Sequence, residues 1–207
     1  MYGLRRTVAP TSEPVTTDEA KLHLRLSLDA TDEDAVVNRC IAAARQWFED
    51  RTGRALINQT WKYTIDNWYA SESVRRPGFI YLPRAPLSSV TSVYYTATDG
   101  SSTLWDSANY TVDTESEPGR LALAYSKTWP VTREVVNAIQ ITYVAGYGAD
   151  ATFVPDGVKA ALLCLISDLF YNRGTLEEMA PKESMPIDRI VTPWMVGDSY
   201  FDFAGVS

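Results

Sequence analysis

Few side chains in this 207-residue sequence could do acid, base or nucleophilic chemistry, and their spacing argues against it. His23 is the only histidine. That excludes a multi-histidine zinc site and leaves any Ser-His-Asp triad a single imidazole. His23 sits in a short amphipathic stretch with no nucleophile signature beside it. Cys40 and Cys164 lack the Cys-x-x-Cys spacing of metal and redox sites. Both lie in apolar helical stretches and read as small buried thiols in a reduced compartment. No glycine-rich loop with Lys-Ser or Lys-Thr is present to cradle a phosphate, and Gly146-Tyr147-Gly148 reads as a turn between a strand and a helix. Carboxylates are the remaining candidates. Asp113, Glu115 and Glu117, or Glu177 with Glu178, could supply a glycosidase pair. Acids beside Pro118-Gly119 are also what a solvated turn contains. The reading is therefore a protein without catalytic site, metal or cofactor.

Totals narrow the partners. Net charge is −7 and the sequence pI is near 4.8, which argues against an electrostatic grip on phosphates. Arg5-Arg6 and Arg75-Arg76 read as solvated loop charge. Residues 1–6 are basic but no apolar run follows, so no signal peptide is expected and the protein should be cytosolic when made. The 12 Tyr and 6 Trp suit either interfaces or a β-rich core.

One stretch organises the rest. Residues 158–171 read VKAALLCLISDLFY between Pro155-Asp156-Gly157 and Asn172-Arg173-Gly174, helix start and stop signals. Val158, Leu162, Leu165, Ile166 and Leu169 form one apolar stripe. Ala160, Leu163, Cys164, Ser167 and Phe170 form a second, smaller one on another side. A helix apolar nearly all round must be covered nearly all round. Its uncharged run is far shorter than the roughly 20 residues that cross a bilayer, so the cover is protein: this chain, a neighbour, or both.

The elements before it follow from local signals. Residues 1–14 look irregular. Thr16-Thr17-Asp18-Glu19 is a capping box that should open a short helix to about Leu26, although residues 22–28 also alternate like a strand. Thr31-Asp32-Glu33-Asp34 repeats the start signal, with three acids where the helix dipole favours them. Apolar residues then recur at spacings of three and four over 32–52, and Gly53 closes that helix. From 56 to 145 no helical period fits. Strands are expected over 57–69, 78–82, 87–96, 103–105, 110–113, 120–124 and 138–144, with a hairpin turn at Thr98-Asp99-Gly100-Ser101. The fold class is α+β: two N-terminal helices and one long C-terminal helix forming a small bundle, with an inserted antiparallel β-meander and an irregular C-terminal tail. The divisions are 1–55, 56–148, 149–174 and 175–207. The tail carries six acids against Lys182 and Arg189, yet also Trp194, Tyr200, Phe201 and Phe203. Such a mixture suggests a segment folded back on its own domain or one that orders on a partner.

The ordered set of pieces resembles a known family. It begins with Glu13-Pro14-Val15-Thr16 and Ala20-Lys21-Leu22-His23-Leu24-Arg25, then Thr52-Gly53-Arg54-Ala55-Leu56-Ile57 running into Gln59-Thr60-Trp61. Leu82-Pro83-Arg84-Ala85-Pro86-Leu87, Ser89-Val90-Thr91-Ser92-Val93, Tyr110-Thr111-Val112-Asp113 and Pro118-Gly119-Arg120 follow. Val144-Ala145-Gly146-Tyr147-Gly148, Val154-Pro155 and a long helix ending Tyr171-Asn172-Arg173 complete it. Over roughly residues 13–173 this resembles the head–tail connector (adaptor, head-completion) proteins of long-tailed phages, prophages and gene transfer agents.

The resemblance implies a non-enzymatic subunit of a ring of about a dozen copies, in which one repeated head-to-tail contact closes on itself. Its implied partners are the portal protein, a tail stopper or tail-terminator protein, and further copies of itself, with a free protein that can stay monomeric. DNA would pass through without sequence-specific binding, and no membrane is involved. The protein would stand in the host cytoplasm during assembly and at the head–tail junction of the mature virion. Trp194, Tyr200, Phe201 and Phe203 are candidate anchors on the portal or a neighbouring subunit. The stripe Ala160, Leu163, Cys164, Ser167 and Phe170 is the candidate subunit-packing face. A tail or baseplate component is the near alternative. From another class, a carbohydrate-binding module could present Trp61, Trp68, Tyr94, Tyr95 and Trp105 to a glycan, against which stands their use as the sheet's own core.

Overall fold

Three helices gather around one apolar core and eight strands around another, in a computed structural model that describes residues 2–69, 78–172 and 189–196. Helix α1 (Thr17–His23) starts at the expected capping box. The Glu19 N–H donates to Thr16 Oγ1 at 3.1 Å, and the Thr16 N–H donates to a Glu19 carboxylate oxygen at 2.7 Å. The helix stops three residues before Leu26 because Arg25 turns left-handed, with φ 59°. Helix α2 (Asp34–Thr52) begins later than its three acids suggest. Glu33 is the N-cap and makes no side-chain cap bond, so only Asp34 lies in the first turn. Lys21 explains the loop between them. Its buried ammonium donates to the Leu28 and Ala30 carbonyls at 3.0 and 2.7 Å and stands 2.9 Å from the Asp34 carboxylate. Gly53 ends α2 at φ 70°, where a side chain would be strained.

Helix α3 (Asp156–Tyr171) follows Pro155, which serves as N-cap rather than as a residue of the first turn. Asn172 is its C-cap, and Gly174 lies outside the described residues. α3 packs mainly on α2 and also touches α1. Ile41, Phe48, Leu56, Val158, Leu162 and Ile166 are among the side chains buried between them. Each such burial contributes about 2 kcal/mol, which is how an over-apolar helix is held.

The β half has strands at nearly the expected places: β2 (Gln59–Ile65), β3 (Phe79–Tyr81), β4 (Leu87–Thr96), β5 (Ser102–Leu104), β6 (Tyr110–Asp113), β7 (Arg120–Leu123) and β8 (Ile139–Ala145). The turn at 98–101 forms, with the Ala97 N–H on the Ser101 carbonyl at 2.8 Å. Two features differ from expectation. Residues Tyr2–Val8, taken above as irregular, form strand β1 paired antiparallel with β2. Proline restricts only the later part of that segment, and the edge of β2 offers the earlier part a ladder. The strands also do not follow one another as a simple meander. They form a five-stranded sheet ordered β1-β2-β8-β4-β5 and a three-stranded sheet ordered β3-β7-β6. β8 takes the centre because its alternate residues Ile139, Ile141, Tyr143 and Ala145 are all buried, while both its edges pair.

An ion-paired seam joins the two halves. Glu49 of α2 accepts the Leu56 N–H at 2.9 Å and the Gln59 side-chain amide at 2.5 Å, and Arg45 reaches it at 3.2 Å while also holding Glu13. Arg84, between β3 and β4, donates to the Glu49 carbonyl and to Asp50, and its guanidinium lies 5.0 Å over the Trp61 ring. Burial raises the Glu49 carboxyl above its ordinary range, against the pull of the Leu56 N–H, Arg45 and Arg84.

Candidate functional site

Helix α3 turns one face to the core and another outward. Val158, Ala161, Leu162, Leu165 and Ile166 are buried. Among the candidate packing residues, Ala160 is exposed and Leu163, Cys164 and Ser167 are half-buried. Ala160, Cys164 and Ser167 thus lie together outside the core, while Leu163 packs against its edge. Phe170 does not join them. It is only 3% exposed and belongs to the helical core, edge-on to Tyr171. The difference is angular: Phe170 lies at the margin of the stripe, four residues beyond the buried Ile166.

The segment 189–196 folds back on its own domain. Val191 and Val196 are buried, and the Val196 N–H donates to the Thr52 carbonyl at 2.9 Å. Trp194, a candidate anchor, packs half-buried on the helical core, with its ring beside Gly157. Arg54 holds this segment to both halves of the molecule. It donates to the Trp194 carbonyl, to both carboxylate oxygens of Glu117 at 2.9 and 2.6 Å, and to the Tyr147 hydroxyl at 3.0 Å. Burial weakens the charge of Arg54, but its bonds to Glu117 and Tyr147 outweigh that and raise its pKa. Tyr200, Phe201 and Phe203 lie outside the described residues.

The aromatics proposed for a glycan platform are mostly interior. Trp61, Trp68 and Trp105 are 8%, 5% and 6% exposed, too little to present a flat face to a sugar. Trp68 stacks on Trp129 at 4.7 Å, and Trp105 contacts both. Trp129 was missed from sequence because no alternating strand pattern surrounds it. Beyond the stack, a concave surface is lined by Tyr69, Val131, Val135 and Val136, with Asp66 and Glu134 alongside.

Of the candidate catalytic carboxylates, Asp113 and Glu117 serve as structural partners, and Glu177 and Glu178 lie outside the described residues. Asp113 accepts from Arg120 at 2.7 Å across the β6–β7 pair and from Ser116 at 2.8 Å, and Glu117 holds Arg54. Ser116 and Arg120 bring the Asp113 pKa down to about 2. His23 is exposed in the last turn of α1. Among the described residues no cluster of His, Cys, Asp and Glu could hold a metal, and no helix is long and apolar enough to cross a membrane.

These features define a small ion-paired scaffold that presents apolar helix surface outside its own core. Residues 15–104 match the sequence profile of the phage gp6-like head-tail connector protein family. The fold as a whole is shared with subunits of solved gene transfer agent particles. In the neck of an empty particle with C6 symmetry, the similar chain is 22% identical with a TM-score of 0.75, over 94% of this chain and 96% of that one. The virion of a native particle gives 21% identity and a TM-score of 0.75, over 94% and 95%. The neck of a native particle with C12 symmetry gives 21% and 0.71, over 95% and 96%. No curated protein is similar enough to this chain to count as a match.

Proposed function

We propose that this chain is the subunit of a ring that seats beneath the portal, joins the capsid to the tail and surrounds the DNA exit channel. The observation that carries the reading is the sharing of its fold, over nearly its whole length, with chains of symmetric necks. The outward face of α3 supports it, because a ring needs apolar surface that its own monomer leaves uncovered. The net charge of −7 suits a channel that DNA must traverse without adhering. The portal stands on one side of the ring and a tail stopper or tail-terminator protein on the other. The subunit assembles in the host cytoplasm and remains at the head–tail junction of the virion. Tyr200, Phe201 and Phe203 anchor the C-terminal segment on the portal or on a neighbouring subunit, with Trp194 as the fixed point from which that segment departs.

The test is a pull-down and negative-stain image of the protein mixed with the portal encoded beside its gene. A ring seated on the portal is the expected result, and no association at micromolar concentration with an intact portal would refute the reading. The triple variant Y200A/F201A/F203A should abolish portal binding with an unchanged melting curve. W194A is less clean, since Trp194 also packs on its own core.

A further inference from the structure

The flank of α2 beside α3 carries a second apolar surface. Val36, Cys40, Ala43 and Trp47 recur there at spacings of four, three and four residues, the repeat that aligns one seam of a helix for packing on another. Val36, Arg39, Cys40 and Ala43, with Leu169 of α3 as the far wall, line an open groove of about 370 Å3. Trp47 extends this flank and is 40% exposed. The outer face of α3 has matching spacing in small residues, Ala160, Cys164 and Ser167, with Leu163 at its margin against the core. A large, grooved seam and a small, smooth one complement each other in shape. They cannot meet within one chain, because α3 already faces α2 with its other side.

Charge complements the shape. Arg39 lines the groove, is exposed, and has no ion pair among the described residues. Asp168 stands exposed beside the outer seam of α3, accepting from the Asn172 amide at 2.7 Å. We infer that the α2 groove receives the outer face of α3 from a second copy of this chain, with Arg39 set against the next copy's Asp168. Such a contact joins two different surfaces, so it propagates from copy to copy and closes where the rotation allows. The inference rests on the ring reading above and names the two surfaces that build the ring.

Ala43→Cys tests it, because Ala43 lines the groove and the native Cys164 lies on the opposing seam. Rings of A43C assembled on the portal and mildly oxidised should run as a ladder of covalent oligomers on non-reducing gels. The ladder should vanish in A43C/C164S. Separately, R39D and D168R should each weaken assembly about tenfold, and R39D/D168R should restore it. Rings that form without a ladder, together with no rescue by the double reversal, overturn the inference and leave the ring reading standing. Wild-type protein that forms no ring on an intact portal overturns both.

Discussion

Glu49→Ala is the perturbation whose consequence can be worked most directly from the structure. Glu49 is 3% exposed and serves three donors: the Leu56 N–H, the Gln59 amide and the Arg45 guanidinium. Truncation leaves two buried neutral donors without that acceptor and leaves Arg45 with Glu13 alone. Each orphaned buried donor costs about 1–3 kcal/mol, and because Arg45 keeps Glu13 the larger cost of an unpaired buried charge is not incurred, so a loss of about 4 kcal/mol is expected. For a domain of this size that corresponds to a fall in melting temperature of about 8–16 °C. Urea unfolding followed by tryptophan fluorescence, with thermal melts beside it, measures both. The pH dependence provides an independent check. Because the folded carboxyl has a raised pKa, the folded state binds the Glu49 proton more tightly than the unfolded chain. This group's contribution is therefore greatest below the unfolded pKa, declines as pH rises through the folded one, and is constant above it. In Glu49→Gln that component disappears, so the stability gap between wild type and E49Q should narrow as pH rises through the same window. An E49A protein within about 1 kcal/mol of wild type, or a gap that widens with pH, would refute the argument.

Other substitutions examine the remaining supports. Gly146→Ala should cost about 3 kcal/mol in unfolding experiments, because a left-handed backbone position excludes a side chain. Gly146 has φ 146°, and a Cβ there would lie 2.5 Å from the Asn58 nitrogen, which is main chain and cannot rotate away. Asp113→Asn should be less stable than wild type near neutral pH by under about 1 kcal/mol, since this pair is partly solvated. With a folded pKa of about 2, that difference should be complete above the unfolded pKa and vanish as pH falls toward 2, seen as converging denaturation midpoints. Arg54→Met should release the segment 189–196 from Glu117, Tyr147 and the core, giving faster limited proteolysis there while the β unit stays protected.

What could be read from the chain alone was whatever depends on neighbours in sequence. The Thr16–Glu19 box, the C-cap at Gly53, the turn at 98–101 and the residues of β4 are local choices, determined by capping bonds, backbone freedom and alternation. The ordered motifs also carried the resemblance to connectors, because a set of caps and turns in one order is specific even when each piece is commonplace. Tertiary structure decided everything that needs a distant partner. β1 exists because β2 offers an edge to it, and β8 lies between β2 and β4 although 73 residues separate the end of β2 from its start. The tryptophans of the β unit became a packed interior rather than a platform because two sheets and a loop bring Trp68, Trp105 and Trp129 into contact. Sequence also placed two apolar stripes on α3 but could not say which one the chain would cover. That depends on where α2 lies, a matter of packing that periodicity does not encode.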